Sequence, residues 1–121
     1  MKNYEDLEIY NLSYELAVQI HKISLGLPKY ELFEEGSQIR RSSKGITSCI
    51  VEGYGRRRYK AEFVKFLVYA HASCDETILH LNFIKETHKI GEQMIHQLVE
   101  DCKKLGRKIY KFTQYVEKDW K

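Results

Sequence analysis

Proline is almost absent from this chain: Pro28 is the single one among 121 residues. With only seven glycines and no run rich in serine and glycine, the chain has no composition for a flexible linker. Residues 1–121 are therefore expected to form one domain. Long apolar runs are missing too. No stretch approaches the roughly 18–20 residues of a membrane span. The first residues, Met1-Lys2-Asn3-Tyr4-Glu5-Asp6, hold no hydrophobic signal region, and the expectation is a cytoplasmic protein with no membrane partner. Strand-like alternation of apolar and polar residues is absent throughout.

Cysteine is scarce and unpaired in pattern. Cys49, Cys74 and Cys102 form no C-x-x-C, their number is odd, and each falls at a core-facing helical position. Reduced core thiols are the expectation, rather than disulfides or a thiolate metal site. None of the five histidines (His21, His71, His80, His88, His96) follows a glutamate by three positions, the spacing that di-metal bundles use. Ser42, Ser43, Ser48 and Ser73 have no histidine in a nucleophile motif, and no phosphate-cradling or dinucleotide fingerprint is present. The chain is expected to be no enzyme, with no catalytic residue, no metal and no cofactor.

What the chain does have is helical periodicity. Ile9, Leu12, Leu16, Ile20, Ile23 and Leu27 step by threes and fours and predict a helix over 4–26. A second stripe of Leu7, Tyr10, Tyr14 and Ala17 widens its buried arc. Gly26 and Pro28 stop it, and 29–36 reads as a short connection. A second helix begins between 32 and 37 and runs to 54. Ile39, Ser43, Ile46 and Ile50 mark its core face, and the small residues Ser42, Gly45, Cys49 and Gly53 let another helix come close. Gly53 and Gly55 are expected to end it in the left-handed conformation. A third helix, 59–88, carries a heptad-like seam of Phe63, Leu67, Ala70, Cys74, Thr77, Leu81, Ile84 and His88. A further row of Val64, Val68, Ala72, Leu79 and Phe83 lies on a neighbouring face. After Gly91, a fourth helix over 92–118 repeats the spacing with Ile95, Leu98, Cys102, Leu105, Ile109, Phe112 and Val116. Four helices with short joints predict an all-α, antiparallel, up-down-up-down four-helix bundle. The apolar surface of the first and third helices exceeds what one seam needs, which points to self-association.

Formal charge is only +3, but residues 1–36 carry a net −4 and residues 37–121 a net +7. Seven basic residues lie between positions 40 and 60: Arg40, Arg41, Lys44, Arg56, Arg57, Arg58 and Lys60. Arginine forks phosphate oxygens, and Tyr54 and Tyr59 beside the arginine run offer stacking for an unpaired base. The fourth helix adds Lys103, Lys104, Arg107, Lys108 and Lys111, of which Lys104, Lys108 and Lys111 share one face. Arg40, Lys44, Arg56, Arg57, Arg58, Lys60, Lys104, Lys108 and Lys111 are the candidate RNA or DNA contacts; the plainer reading is a solvated cationic surface. Arg41 and Glu52 project from the same side of the second helix, and Glu76 of the third approaches them. A structural salt-bridge network among the three is expected, with a charged functional site as the alternative.

The run from Gln38 to Arg56 also resembles a known family. Gln38, Ile39, Arg40, Arg41, Ile50, Glu52, Gly53, Gly55 and Arg56 match the pattern Q-[LI]-R-R-x-x-x-S-I-x-x-N-I-A-E-G-x-G-R of the bacterial 23S rRNA intervening-sequence proteins. Residues 62–76 resemble that family's E-F-x-x-F-L-x-x-A-x-G-S-x-x-E, and the agreement runs over about 4–90. Cys49 replaces the usual Asn, Val51 an Ala, Gly45 a Ser and Ala72 a Gly, so no role of that Asn carries over. The resemblance implies a four-helix bundle that assembles into a homopentameric ring. It also implies a link to ribosomal RNA, and a likeness to ring-forming accessory proteins of diversity-generating retroelements. Two functions follow as expectations. One is a non-enzymatic, oligomeric nucleic-acid-binding protein that grips phosphates with little sequence readout. The other is a scaffold whose cationic surface binds an acidic partner protein such as a reverse transcriptase.

Overall fold

Asn3 opens the described chain with a reciprocal cap. Its side chain accepts from the Glu5 N–H at 2.7 Å, and Asp6 accepts from the Asn3 N–H at 3.3 Å. The computed structural model describes residues 3–121. A 3-10 turn at Tyr4–Asp6 leads into α1 (Glu8–Ser24), α2 (Lys29–Leu32), α3 (Glu35–Gly55), α4 (Lys60–Thr87) and α5 (Glu92–Asp119). There is no strand among the described residues.

The four long helices form an up-down-up-down bundle, as their cross-links show. Thr47 donates to Ser13 at 3.0 Å and Arg40 to Ser24 at 2.9 Å, so α3 descends as α1 rises. Gly53 meets Phe66 near one end of the α3–α4 contact, and Ser42 meets Thr77 towards the other. Cys74 donates to the Cys102 carbonyl at 3.1 Å, and Lys60 to the Glu117 carbonyl at 3.3 Å, which sets α5 antiparallel to α4. Lys108 reaches Glu8 at 3.2 Å and closes the square between α5 and α1. The heptad-like seam of α4 is buried from Phe63 to Ile84, as expected from its spacing, and its apolar members share one core cluster with Ile20, Ile39, Ile50, Leu105 and Ile109. Burial of these apolar side chains is the main favourable contribution to the fold.

The ends of the helices differ from expectation in two places. Gly53 and Gly55 stay helical, and Gly91 (φ 51°, ψ 41°) is the one glycine with positive φ among the described residues. α3 stops because Arg56 leaves helical geometry at φ −101°, ψ 10°, while its N–H still bonds the Glu52 and Gly53 carbonyls. What Gly53 supplies is closeness to α4; nothing in the structure explains Gly55. The connection after Pro28 also holds a one-turn helix, α2, because the extended proline frees its carbonyl for the Glu31 and Leu32 N–H groups.

Apolar surface stays uncovered on α4 and α1. At about 100° per residue, Val68, Ala72, Leu79 and Phe83 fall on the side of α4 turned away from the Phe63–Leu81 seam. Val68, Leu79 and Phe83 are 52%, 51% and 49% exposed. On α1, Leu7 and Ala17 are buried, but Tyr10 is only half-buried, and Tyr14 and Val18 are exposed.

Candidate nucleic-acid interface

The arginine run forms the turn between α3 and α4, at the same end of the bundle as the last turn of α5. Its backbone is fixed: the Arg57 N–H bonds the Tyr54 carbonyl, and the Tyr59 N–H bonds that of Arg56. Each arginine lies over a ring. Arg56 stands 4.7 Å from the Phe66 centroid, Arg57 4.1 Å from Tyr54, and Arg58 5.9 Å from Tyr59. A guanidinium stacked this way keeps its outer face and donor edge open to an anion or a base.

The three arginines are not equivalent. Arg56 bonds Glu52 at 2.9 Å and Glu62 at 3.0 Å, so it ties the end of α3 to the start of α4 and is largely neutralised. The Glu52 hydrogen bond pushes the Arg56 pKa up, holding it charged. Arg57 donates to the Tyr54 carbonyl at 3.0 Å, and neither it nor Arg58 forms an ion pair among the described residues. Lys60 spends a donor on the Glu117 carbonyl. Around them stand exposed Tyr59 and Tyr115 and the half-buried Trp120, which packs on Phe63 at 5.1 Å. Arg57 and Arg58 are thus the arginines of this turn with donors free of carboxylates among the described residues, and the exposed Tyr59 ring lies alongside.

Other expected contacts fall elsewhere. Arg40 donates to Ser24 and, at 2.8 Å, to the Leu32 carbonyl, which makes it a strut between α1, α2 and α3 rather than a surface ligand. Lys44 is exposed on the rim of a groove between α1 and α3. Lys104, Lys108 and Lys111 do share a side of α5, but that side faces the acidic helix α1. Lys108 pairs with Glu8, Lys104 lines a groove with Glu15 and Asp101, and Lys111 lines one with Asp6 and Glu8. Their charge is therefore partly cancelled. Spacing within α5 alone carried no sign of this, although the acidic balance of residues 1–36 did.

The Arg41–Glu52–Glu76 network is not formed. Glu52 pairs with Arg56, Glu76 approaches His80 at 3.4 Å, and Arg41 is exposed with no ion pair among the described residues. Arg41 and Glu52 share a side of α3 but stand about 16 Å apart along it, too far for one carboxylate to join. Two carboxylate–histidine contacts that cross between helices have no spacing signature in the sequence. His80 Nδ1 meets Glu35, and His88 Nε2 meets Glu31 at 2.8 Å, locking α2 and the start of α3 onto α4.

Glu35 and Glu76 meet opposite nitrogens of the His80 ring, so they do not face a common ion. Among the described residues no group of three or more His, Cys, Asp or Glu side chains is placed to hold a metal. Burial pushes the thiols of Cys74 and Cys102 up to about 12 and raises that of half-buried Cys49. Thiols so shifted are poor nucleophiles at neutral pH. No helix is long and apolar enough to cross a membrane among the described residues.

Comparison with known proteins agrees with this architecture. A protein of unknown function from the S23 ribosomal protein family of Bacteroides thetaiotaomicron shares the fold, with a TM-score of 0.76. Identity is 22%, and the match covers 88% of this chain and 95% of that one. No curated protein matches the chain. The family profile described as "23S rRNA-intervening sequence protein" matches residues 5–111, nearly the whole bundle. On that match the chain belongs to the 23S rRNA-intervening sequence protein family.

Proposed function

We propose that the protein is a non-enzymatic, oligomeric nucleic-acid-binding bundle that holds RNA or DNA phosphates at the α3–α4 turn. The observation that carries this reading is the pair Arg57 and Arg58, exposed, without carboxylate partners among the described residues, and stacked on Tyr54 and Tyr59. Phosphates would take the donor edges, and unpaired bases would find open rings, so contact is through backbone and stacking with little sequence readout. The family's description names an RNA, which favours RNA as the first ligand to try. Apolar faces left open on α1 and α4 support self-association, and the resemblance to ring-forming proteins makes a pentamer the expected assembly. Several copies of a short basic turn in one assembly would add up to an affinity that one copy lacks.

Fluorescence titration with labelled single- and double-stranded RNA and DNA, at several salt concentrations, tests the reading. Binding that weakens steeply with salt supports it. Undetectable binding at 50 mM salt removes it and leaves the same cationic turn to an acidic partner protein.

A further inference from the structure

Two of the apolar surfaces left uncovered on the long helices are a ridge and a groove. The ridge is the outer face of α4, where Val68, Leu79 and Phe83 are each about half exposed on the side opposite the core. The groove lies between α1 and α3, has a volume of about 500 Å³, and is walled by Tyr10, Tyr14, Val18 and Val51. From Val68 to Phe83 the ridge spans about 22 Å, and from Tyr10 to His21 the groove spans about 16 Å, a match to within about one helical turn. Side-chain ridges of one helix seat between those of others at such contacts.

Their rims are opposite in charge. Lys22 and Lys44 edge the groove, both exposed and without an ion pair among the described residues. Asp75, Glu76 and Glu86 flank the ridge. Asp75 approaches His71 at 3.6 Å and shares a groove with Lys103, Arg107 and Lys111 of α5. Glu76 approaches His80 at 3.4 Å, and Glu86 is exposed with no ion pair among the described residues. The basic charge of the ridge, Lys65, is folded towards the Tyr69 ring at 5.9 Å. The groove also contains Nδ1 of His21, buried without a hydrogen-bond partner, which is costly unless an incoming group bonds it.

We infer that the ridge of one copy docks in the groove of the next, with Asp75 and Glu86 set against Lys22 and Lys44. This deepens the oligomeric part of the function proposed above and rests on it. Ridge-to-ridge pairing would leave the groove uncovered and its buried His21 Nδ1 still without a partner. Ridge-to-groove contact uses two different patches, so it is heterologous. Each copy offers one free patch to the next until the assembly closes on itself, as in a ring. The basic α3–α4 turn is not part of either patch.

Complementation of two exposed-residue variants tests the contact. The ridge variant is Leu79→Lys with Phe83→Lys, and the groove variant is Tyr14→Lys with Val18→Lys. Light scattering at micromolar concentration should give an oligomer for the wild type and a folded 14.4 kDa monomer for each variant, with helicity checked by circular dichroism. An equimolar mixture of the two should give a dimer and nothing larger, because only one good ridge and one good groove then remain. A monomeric wild type overturns the inference. So does a groove variant that assembles like the wild type, or a mixture of two folded variants that stays monomeric. A monomer that still binds RNA would remove this contact and leave the nucleic-acid reading standing. An oligomer that assembles by complementation but binds no nucleic acid supports the contact while removing that reading.

Discussion

Gly53 of α3 and Phe66 of α4 lie so close that a methyl group on the glycine would come 3.0 Å from Phe66 Cβ and 3.4 Å from the Phe63 carbonyl. Neither neighbour is the loose end of a side chain, so the helices must separate to admit it. Gly45, two turns earlier, has only Ser73 Oγ nearby, at 3.5 Å, an ordinary contact distance. Gly53→Ala should therefore destabilise the bundle by about 1–3 kcal/mol, as overpacking does. Gly45→Ala should stabilise it by up to about 1 kcal/mol through helix propensity. Urea unfolding midpoints decide between the two signs; equal shifts in one direction would contradict the difference in spacing.

The helices were legible because their information is local. Apolar residues three and four apart name a buried face, and Phe63 to Ile84 proved to be such a face without exception. The small residues of α3 likewise announced a close neighbour, and Gly53 has one. Pairings between distant residues were not legible. His80 meets Glu35 across 45 positions and His88 meets Glu31 across 57, and no spacing rule links such pairs. Charge alone also misplaced Arg40 and Arg41. Two adjacent arginines look alike in sequence, but at about 100° per residue they leave the helix in different directions.

That divergence gives the second prediction. Arg40 holds the Leu32 carbonyl and Ser24 Oγ, whereas Arg41 is exposed and unpaired among the described residues. Arg40→Ala should lower stability by about 1.5–3 kcal/mol, the range for hydrogen bonds made by a charged donor. Arg41→Ala should fall within about 0.5 kcal/mol of wild type. Denaturant unfolding of both variants is the check, and a greater loss for Arg41→Ala would refute the assignment of Arg40 as the strut.

The His88–Glu31 pair makes stability depend on pH. Its hydrogen bond is the largest influence on Glu31 and holds the carboxyl below its ordinary 4.5; partial burial acts the other way, and the Glu35 N–H adds to the lowering. Because the folded value is the lower one, the contribution is complete above the unfolded pKa. It is lost as pH falls through the depressed folded value. In melts over about pH 3–7, wild type should exceed Glu31→Gln most near neutrality, and the gap should shrink towards acid. A gap that stays constant over that range would mean that Glu31 does not titrate in this way.

The last prediction concerns the arginine turn and separates its members. If Arg57 and Arg58 contact phosphates, each contact displaces counterions, and the slope of log K against log salt should weaken by roughly 0.7–0.9 for each contact removed. The double variant Arg57→Ala, Arg58→Ala should therefore bind more weakly at low salt and show a shallower slope. Its melting should be little changed, since among the described residues the Arg58 side chain makes no hydrogen bond or ion pair and that of Arg57 bonds only the nearby Tyr54 carbonyl. Arg56→Ala should do the reverse. It removes the link from Glu52 to Glu62 across the turn, so it should lower stability modestly, by about 1 kcal/mol or less for exposed pairs, and leave the slope nearly intact. Titrations of labelled RNA between about 50 and 200 mM salt read both slopes directly. A double variant with the wild-type slope would show that this turn does not touch phosphate.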